Sequence, residues 1–207
     1  MPVITSIKPQ KNQKRVNVFL DGKFGFGLDL ETFVKHKLKV EQELSEDEVE
    51  IINKESEFQD VYDKILRFAS LRPRSEKEFA FWLKKHKVHQ SLHEGLFERL
   101  RHLDFLNDKK FAIWWIGQRQ EFRPKSKRGL EQELRIKGIE KDVIDETLKE
   151  EEVDETSAAK RILKKKEYMW RGLHGFEKRV KMSNYLARNG YSWSVIRQIV
   201  GEFDEDI

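Results

Sequence analysis

The chain has 207 residues, enough for one large domain or several small ones, and its 38% hydrophobic content, equalled by its charged content, suits an extended body with much surface for its volume. It contains no cysteine, which excludes disulfides and thiolate metal sites and fits a reducing compartment. No apolar run approaches the ~20 residues of a membrane span, and the N-terminal MPVITSIKPQKNQK lacks a signal-peptide core, so a cytoplasmic address away from membranes is expected.

Residues 1–40 read as a β-hairpin extension. In VNVFLDGKFGFGL apolar side chains alternate up to Asp21-Gly22, a pair that supplies the positive φ angles of a two-residue type I′ turn. Such a turn sets Leu20 opposite Lys23, Phe19 opposite Phe24 and Asn17 opposite Phe26, gathering Phe19, Phe24 and Phe26 on one face. A third strand over Val3–Ile7 has room to pair beside it. The glycines that follow are no phosphate loop, because neither a helix start nor Gly-Lys-Ser/Thr accompanies them.

Residues 41–57 form an acidic connecting segment, and from Phe58 the period changes. Phe58, Val61, Tyr62, Ile65, Leu66 and Ala69 make one buried helical stripe. Pro73 ends that helix, since proline lacks an N–H and clashes with the preceding turn. Ser75 opens the next, with Glu78 placed to complete a capping box. Leu92, Leu96, Leu100 and Leu103 mark a third, giving a three-helix unit over 58–104.

The pattern then repeats over 105–152. Asn107-Asp108 caps a helix carrying Phe111, Trp114, Trp115 and Phe122; Pro124 ends it, Ser126 starts the second helix, and Gly138 stops that helix in a left-handed conformation. The repeated Arg-Pro-basic-Ser cores start at Arg72 and Arg123, 51 residues apart. A further shift of 52 carries Leu134, Gly138, Ile139 and Ile144 onto Leu186, Gly190, Tyr191 and Ile196, so 153–207 is a third unit without the Arg-Pro element, led by a long basic helix near 157–170. The expected fold is mainly α, an elongated curved array of three three-helix repeats with the hairpin at its N-terminus.

Chemistry is sparse. His86, His89 and His93 lack a zincin glutamate and an obvious third ligand, and no nucleophile elbow or Walker loop is present, so neither a catalytic residue nor a metal or cofactor site is expected. Charge is the informative feature: the net value is only +4, yet residues 41–60 hold nine acids and one base, whereas 160–181 hold nine bases and two acids. The candidate partner or nucleic-acid contacts are Arg72, Arg74, Arg123, Lys125, Lys127 and Arg128 at the joints, and Lys164, Lys165, Lys178 and Lys181 in the third unit. A phosphate backbone and an acidic protein groove suit them equally.

The fragments FASLRPRSEKEF, LNDKKFAIWWI, RPKSKRGLEQELRIKGI and YLARNGYSWSVIRQIV, in that order over about 58–203, resemble the RecX family, regulators of the RecA recombinase. Lys85-His86-Lys87 departs from the Lys-Gly helix stop of that pattern. The resemblance implies an elongated, curved protein that binds RecA filaments on DNA and restrains their assembly, ATPase and strand exchange, in DNA repair and the SOS response; the chain is expected to be a monomer and, from its missing catalytic motifs, not an enzyme. The alternative from the residues alone is a helical-repeat module that binds single- or double-stranded DNA independently of RecA.

Overall fold

The computed structural model describes residues 1–11 and 13–205, with side chains through Glu202. It contains a three-stranded antiparallel sheet in the order β1 (Ile4–Pro9), β2 (Arg15–Leu20), β3 (Lys23–Asp29). Ten α-helices follow among the described residues: α1 (Leu30–Lys35), α2 (Glu46–Ser70), α3 (Glu76–Lys85), α4 (His93–His102), α5 (Asp108–Phe122), α6 (Lys127–Ile136), α7 (Lys141–Glu150), α8 (Glu155–Lys165), α9 (Gly175–Arg188) and α10 (Trp193–Glu205). The chain divides into two compact units, one of residues 1–72 and 82–103, the other of 73–81 and 104–207.

In the first unit, Asp21 and Gly22 take φ values of +49° and +77°, as the primed turn requires. The register beyond the turn differs from expectation. Phe19 does oppose Phe24, but the pairing then slips by one, so that Val18 faces Phe26 and Asn17 faces Gly27. Gly25 is the extra residue of this bulge, and a Cβ there would lie 2.8 Å from Leu20 Cγ. The slip moves Phe26 to the buried face beside Val16, Val18 and Leu28, and leaves Phe24 exposed. One inserted residue thus exchanges which aromatic enters the core.

The acidic segment is not merely a connector. Helix α2 begins at Glu46, where Ser45 and Glu48 form a complete capping box, and it runs 25 residues, so the helix expected from Phe58 starts twelve residues earlier. Its first half seals the sheet: Ile52 joins Ile4, Val18, Leu28, Leu38 and Leu44 in one core. Ser56 donates to the Gly27 carbonyl at 3.1 Å, and Arg15 reaches the same carbonyl while pairing with Asp60. These bonds cover part of the outer edge of β3, where unpaired backbone would otherwise invite another strand. Farther along, the Arg99 guanidinium sits 4.7 Å from the Phe58 ring and 5.0 Å from that of Tyr62. His86 stacks on Trp82 with centroids 3.9 Å apart, and His93 bonds the Val88 carbonyl.

The second unit holds two cores. Phe111, Ile116, Leu130, Leu134, Ile139 and Ile144 fill one, among α5, α6 and α7; Ala159, Leu163, Trp170, Met182, Leu186 and Ile199 fill the other, among α8, α9 and α10. The basic helix expected over 157–170 spans Glu155–Lys165, ends at Lys166, and is followed by a single 3₁₀ turn, Glu167–Met169.

Candidate functional site

Three helices end in the same way. The N–H groups of Lys87, Gly138 and Gly190 bond the carbonyls of Lys84, Arg135 and Ala187, while those of Val88, Ile139 and Tyr191 reach back to Leu83, Leu134 and Leu186. This double closure requires a left-handed residue, and φ is +55°, +88° and +82° at Lys87, Gly138 and Gly190. The missing glycine at Lys87 therefore leaves the turn unchanged but places a side chain in a conformation that costs about 1–2 kcal/mol.

Within the second unit, the segment opening α3 meets the end of α6 as the segment opening α6 meets the end of α9. Ser75 Oγ donates to the Lys137 carbonyl at 2.8 Å, and Ser126 Oγ donates to the Asn189 carbonyl at 2.7 Å. Both serines are fully buried and also accept from the helix they cap, at Glu78 N–H and Gly129 N–H. Next to them, the N–H of Glu76 donates to the Asp108 carboxylate at 3.0 Å and that of Lys127 to the Glu155 carboxylate at 2.9 Å. Lys77 and Arg128 then lie across Gly138 and Gly190; a Cβ on Gly138 would stand 2.8 Å from Lys77 Cβ. Each joint is thus built from equivalent residues, and its glycine is needed both for φ and for space.

The cations expected at the joints divide into two groups. Arg74 is mostly covered, its side chain 12% exposed and 4.0 Å from Glu78, so it works inside the joint. Lys125 is half-buried, with Nζ 3.5 Å from Glu133. Arg72 is half-buried in the first unit. By contrast Arg123, Lys127 and Arg128 are exposed, and none has a carboxylate partner for its side chain among the described residues. Lys125 and Arg128 line one open cleft of about 370 Å³, together with Arg188 and Ile136. In the third repeat Lys164, Lys165 and Lys181 are exposed; Lys181 pairs with Glu177 at 3.3 Å, while Lys164 and Lys178 share a separate cleft.

Sequence reasoning missed the residue that organises this region. Glu133 accepts from Trp115 Nε1 at 2.9 Å and from Arg119 Nε at 2.6 Å. Burial pushes its carboxyl up, but these donors outweigh burial and hold it below the usual carboxylate range. Arg119 and Lys137 also lie 4.2 and 4.8 Å from the Trp115 ring, and Lys137 closes onto Glu78 at 2.7 Å. Trp114 and Trp115 are both half-buried against the second repeat's core. A glutamate three residues after Leu130 carries no signal of its own in the sequence.

Comparison with known proteins places this architecture. A family model for the regulatory protein RecX N-terminal domain matches residues 2–45; models for the second and third RecX three-helix domains match 107–148 and 152–200. The regulatory protein RecX of Bacillus pumilus is 32% identical over 207 residues, covering 98% of this chain and 78% of its own length. The chain belongs to the RecX family. The RecX of Bacillus subtilis is 34% identical over 212 residues, covering 100% of this chain and 80% of its own. A crystal structure of a regulatory protein RecX aligns with a TM-score of 0.76 at 25% identity, covering 96% of this chain and 98% of that one. The RecX structure from Lactobacillus salivarius gives 0.63 at 21% identity, over 73% and 98%. These RecX relatives are named as regulatory proteins, and among the described residues no helix is long and apolar enough to cross a membrane.

Proposed function

We propose that this RecX-family chain is a non-enzymatic negative regulator of RecA that acts in the cytoplasm, binding RecA filaments on DNA and inhibiting their assembly, ATP hydrolysis and strand exchange during DNA repair and the SOS response. Family membership across nearly the whole chain carries this reading. The exposed side chains of Arg123, Lys127 and Arg128, without carboxylate partners among the described residues, supply its contact surface, with Lys125 beside them and Lys164, Lys165, Lys178 and Lys181 farther along. Arg74, being covered, is assigned mainly to shaping the joint, and half-buried Arg72 is kept as a proposed contact. The contacts read phosphate or carboxylate charge and not base sequence, and the chain acts as a monomer.

The test is RecA hydrolysis of ATP on single-stranded DNA held well above any concentration this protein could titrate. Hydrolysis is expected to fall at substoichiometric protein, and Arg123→Glu, Lys127→Glu and Arg128→Glu together to relieve the inhibition while the far-ultraviolet dichroism stays unchanged. Full inhibition by the folded triple variant would reject the assigned surface. No inhibition up to equimolar protein, with strong and salt-sensitive DNA binding alone, would replace RecA regulation by an independent DNA-binding module.

A further inference from the structure

The cleft that holds Lys125, Arg128 and Arg188 continues across Gly190 into a second open cleft of about 470 Å³, lined by Lys127, Arg128, Glu155, Tyr191 and Trp193. Of the five tryptophans, Trp82 and Trp170 are buried and Trp114 and Trp115 half-buried, whereas Trp193 is 63% exposed. No other ring and no cation lies against its indole among the described residues. Its position is nonetheless fixed: it opens α10 between Tyr191 and Ile196, both in the core of the third repeat. Gly190, just before it, is held at a φ of +82° beneath Arg128, and a Cβ there would stand 3.5 Å from Arg128 Cβ. The carboxylates of the two clefts are already engaged, Glu155 by the N–H of Lys127 at 2.9 Å and Glu133 by Trp115 and Arg119. Lys127, Arg128 and Arg188 are thus left exposed, without a carboxylate partner for their side chains among the described residues. We propose that this joint is a binding site for a single nucleic-acid strand, in which one unpaired base stacks on Trp193 and the phosphates beside it pair with Lys127 and Arg128.

An open aromatic ring beside uncommitted cations is the pairing a single strand uses: every base has a flat face to stack, and its backbone carries the charge. A duplex cannot make the first contact, since its bases are already paired and stacked on one another, and it reaches only the cations. The site therefore favours exposed bases over a duplex, a preference that charge alone would not give. An acidic peptide suits it less. A peptide's aromatic anchor gains most from a pocket that encloses it, and the Trp193 indole offers an open surface instead. The inference rests on the reading of Lys127 and Arg128 as contact residues, and adds both the kind of strand they meet and a residue, Trp193, that charge did not select.

The probe is a fluorescein-labelled dodecathymidylate, titrated with the full chain in the absence of RecA and followed by anisotropy, beside a duplex and an abasic strand of the same length. Saturable binding of the thymidylate is expected. Trp193→Ala should weaken it at least about fivefold, the lower end of what one lost base stack is worth, and Trp193→Phe should retain most of the affinity. The same Trp193→Ala change should alter duplex and abasic-strand binding by less than about twofold and leave the salt slope unchanged, because it removes no charge. Lys127→Glu with Arg128→Glu should lower that slope. Trp193 is at the surface, so dichroism and melting of its variants should match the parent chain. Thymidylate binding that is absent, or that Trp193→Ala leaves intact, would overturn the proposal. So would an equal loss on the duplex, or displacement of the strand by the acidic peptide Asp-Glu-Phe-Asp-Glu-Leu at equal concentration. Inhibition of RecA, read on the same variants, separates this site from the proposed function: Trp193-dependent strand binding by a chain that does not inhibit RecA rejects only that function, and inhibition without Trp193-dependent binding rejects only the stacking site.

Discussion

Ser126→Ala tests the joint most directly, because one hydroxyl makes two bonds with no solvent to replace it. Ser126 is 0% exposed; its Oγ accepts from Gly129 N–H at 3.1 Å and donates to the Asn189 carbonyl at 2.7 Å. Losing the cap costs about 1 kcal/mol. Leaving a covered carbonyl unsatisfied adds about 1–3 kcal/mol, so the total is about 2–4 kcal/mol. Gly190→Ala attacks the same joint from the other side, combining a positive φ of +82° with a Cβ 2.9 Å from Ser126 Oγ. In the double variant that oxygen is gone and only the backbone strain remains, so the two penalties should fall short of additivity by about 1 kcal/mol or more. Urea unfolding of the full chain, followed by dichroism, measures all three. A cost below about 0.5 kcal/mol for Ser126→Ala, or additivity within about 0.3 kcal/mol, would refute this account of how the repeats are joined.

Ser75→Ala, at the equivalent position, should destabilise by a similar amount in the same assay. Tyr191→Phe should leave the urea midpoint unchanged or raise it: the hydroxyl is buried with no hydrogen-bond partner among the described residues and its pKa is pushed up by burial, so removing it forfeits no bond. Lys87→Gly should stabilise by about 1 kcal/mol, because Lys87 is exposed and its φ of +55° suits glycine. Deleting residues 1–40 should destabilise α2, measurable as lost helicity, since it strips Ile52 of the sheet core and Asp60 of Arg15. Glu133 contributes a pH dependence. Its folded-state pKa lies below the unfolded one, so the stabilisation is complete above the ordinary glutamate value of about 4.3 and is lost as pH falls through the lower folded value. Glu133→Gln should abolish that part of the acid sensitivity of the urea midpoint.

Much of the helical plan was legible because it is written in residues with one conformational use. Pro73 and Pro124 stop helices, Ser75 and Ser126 start them, and Gly138 and Gly190 close them with positive φ. The hairpin turn was legible for the same reason, but the bulge beyond it was not, since alternation is equally good in either register until the core decides which phenylalanine to bury. The start of α2 was obscured by acids, although Ser45 and Glu48 already spelled a capping box. The candidate surface was the least legible part. Arg72 and Arg123 hold equivalent positions before a proline, yet Arg72 is half-buried and Arg123 is exposed. Such a difference depends on tertiary neighbours, which spacing along the chain does not encode.

The joint also gives the Arg-Pro-x-Ser element a reason beyond breaking a helix. Ending one helix and restarting the next at a buried serine frees a hydroxyl to satisfy a carbonyl 62 or 63 positions farther on, in the following repeat. The element occurs in the two repeats that donate across such a joint. In the third, α9 starts at Gly175, and Lys178 stands where the serine would be. The accepting side follows the same logic: glycine closes the helices of the second and third repeats, where Lys77 or Arg128 crosses the turn, whereas Lys87 closes the first with its side chain in solvent. Both departures from the repeat therefore follow from which neighbour each turn meets, and a Gly138→Lys exchange should be far more costly than Lys87→Gly is beneficial.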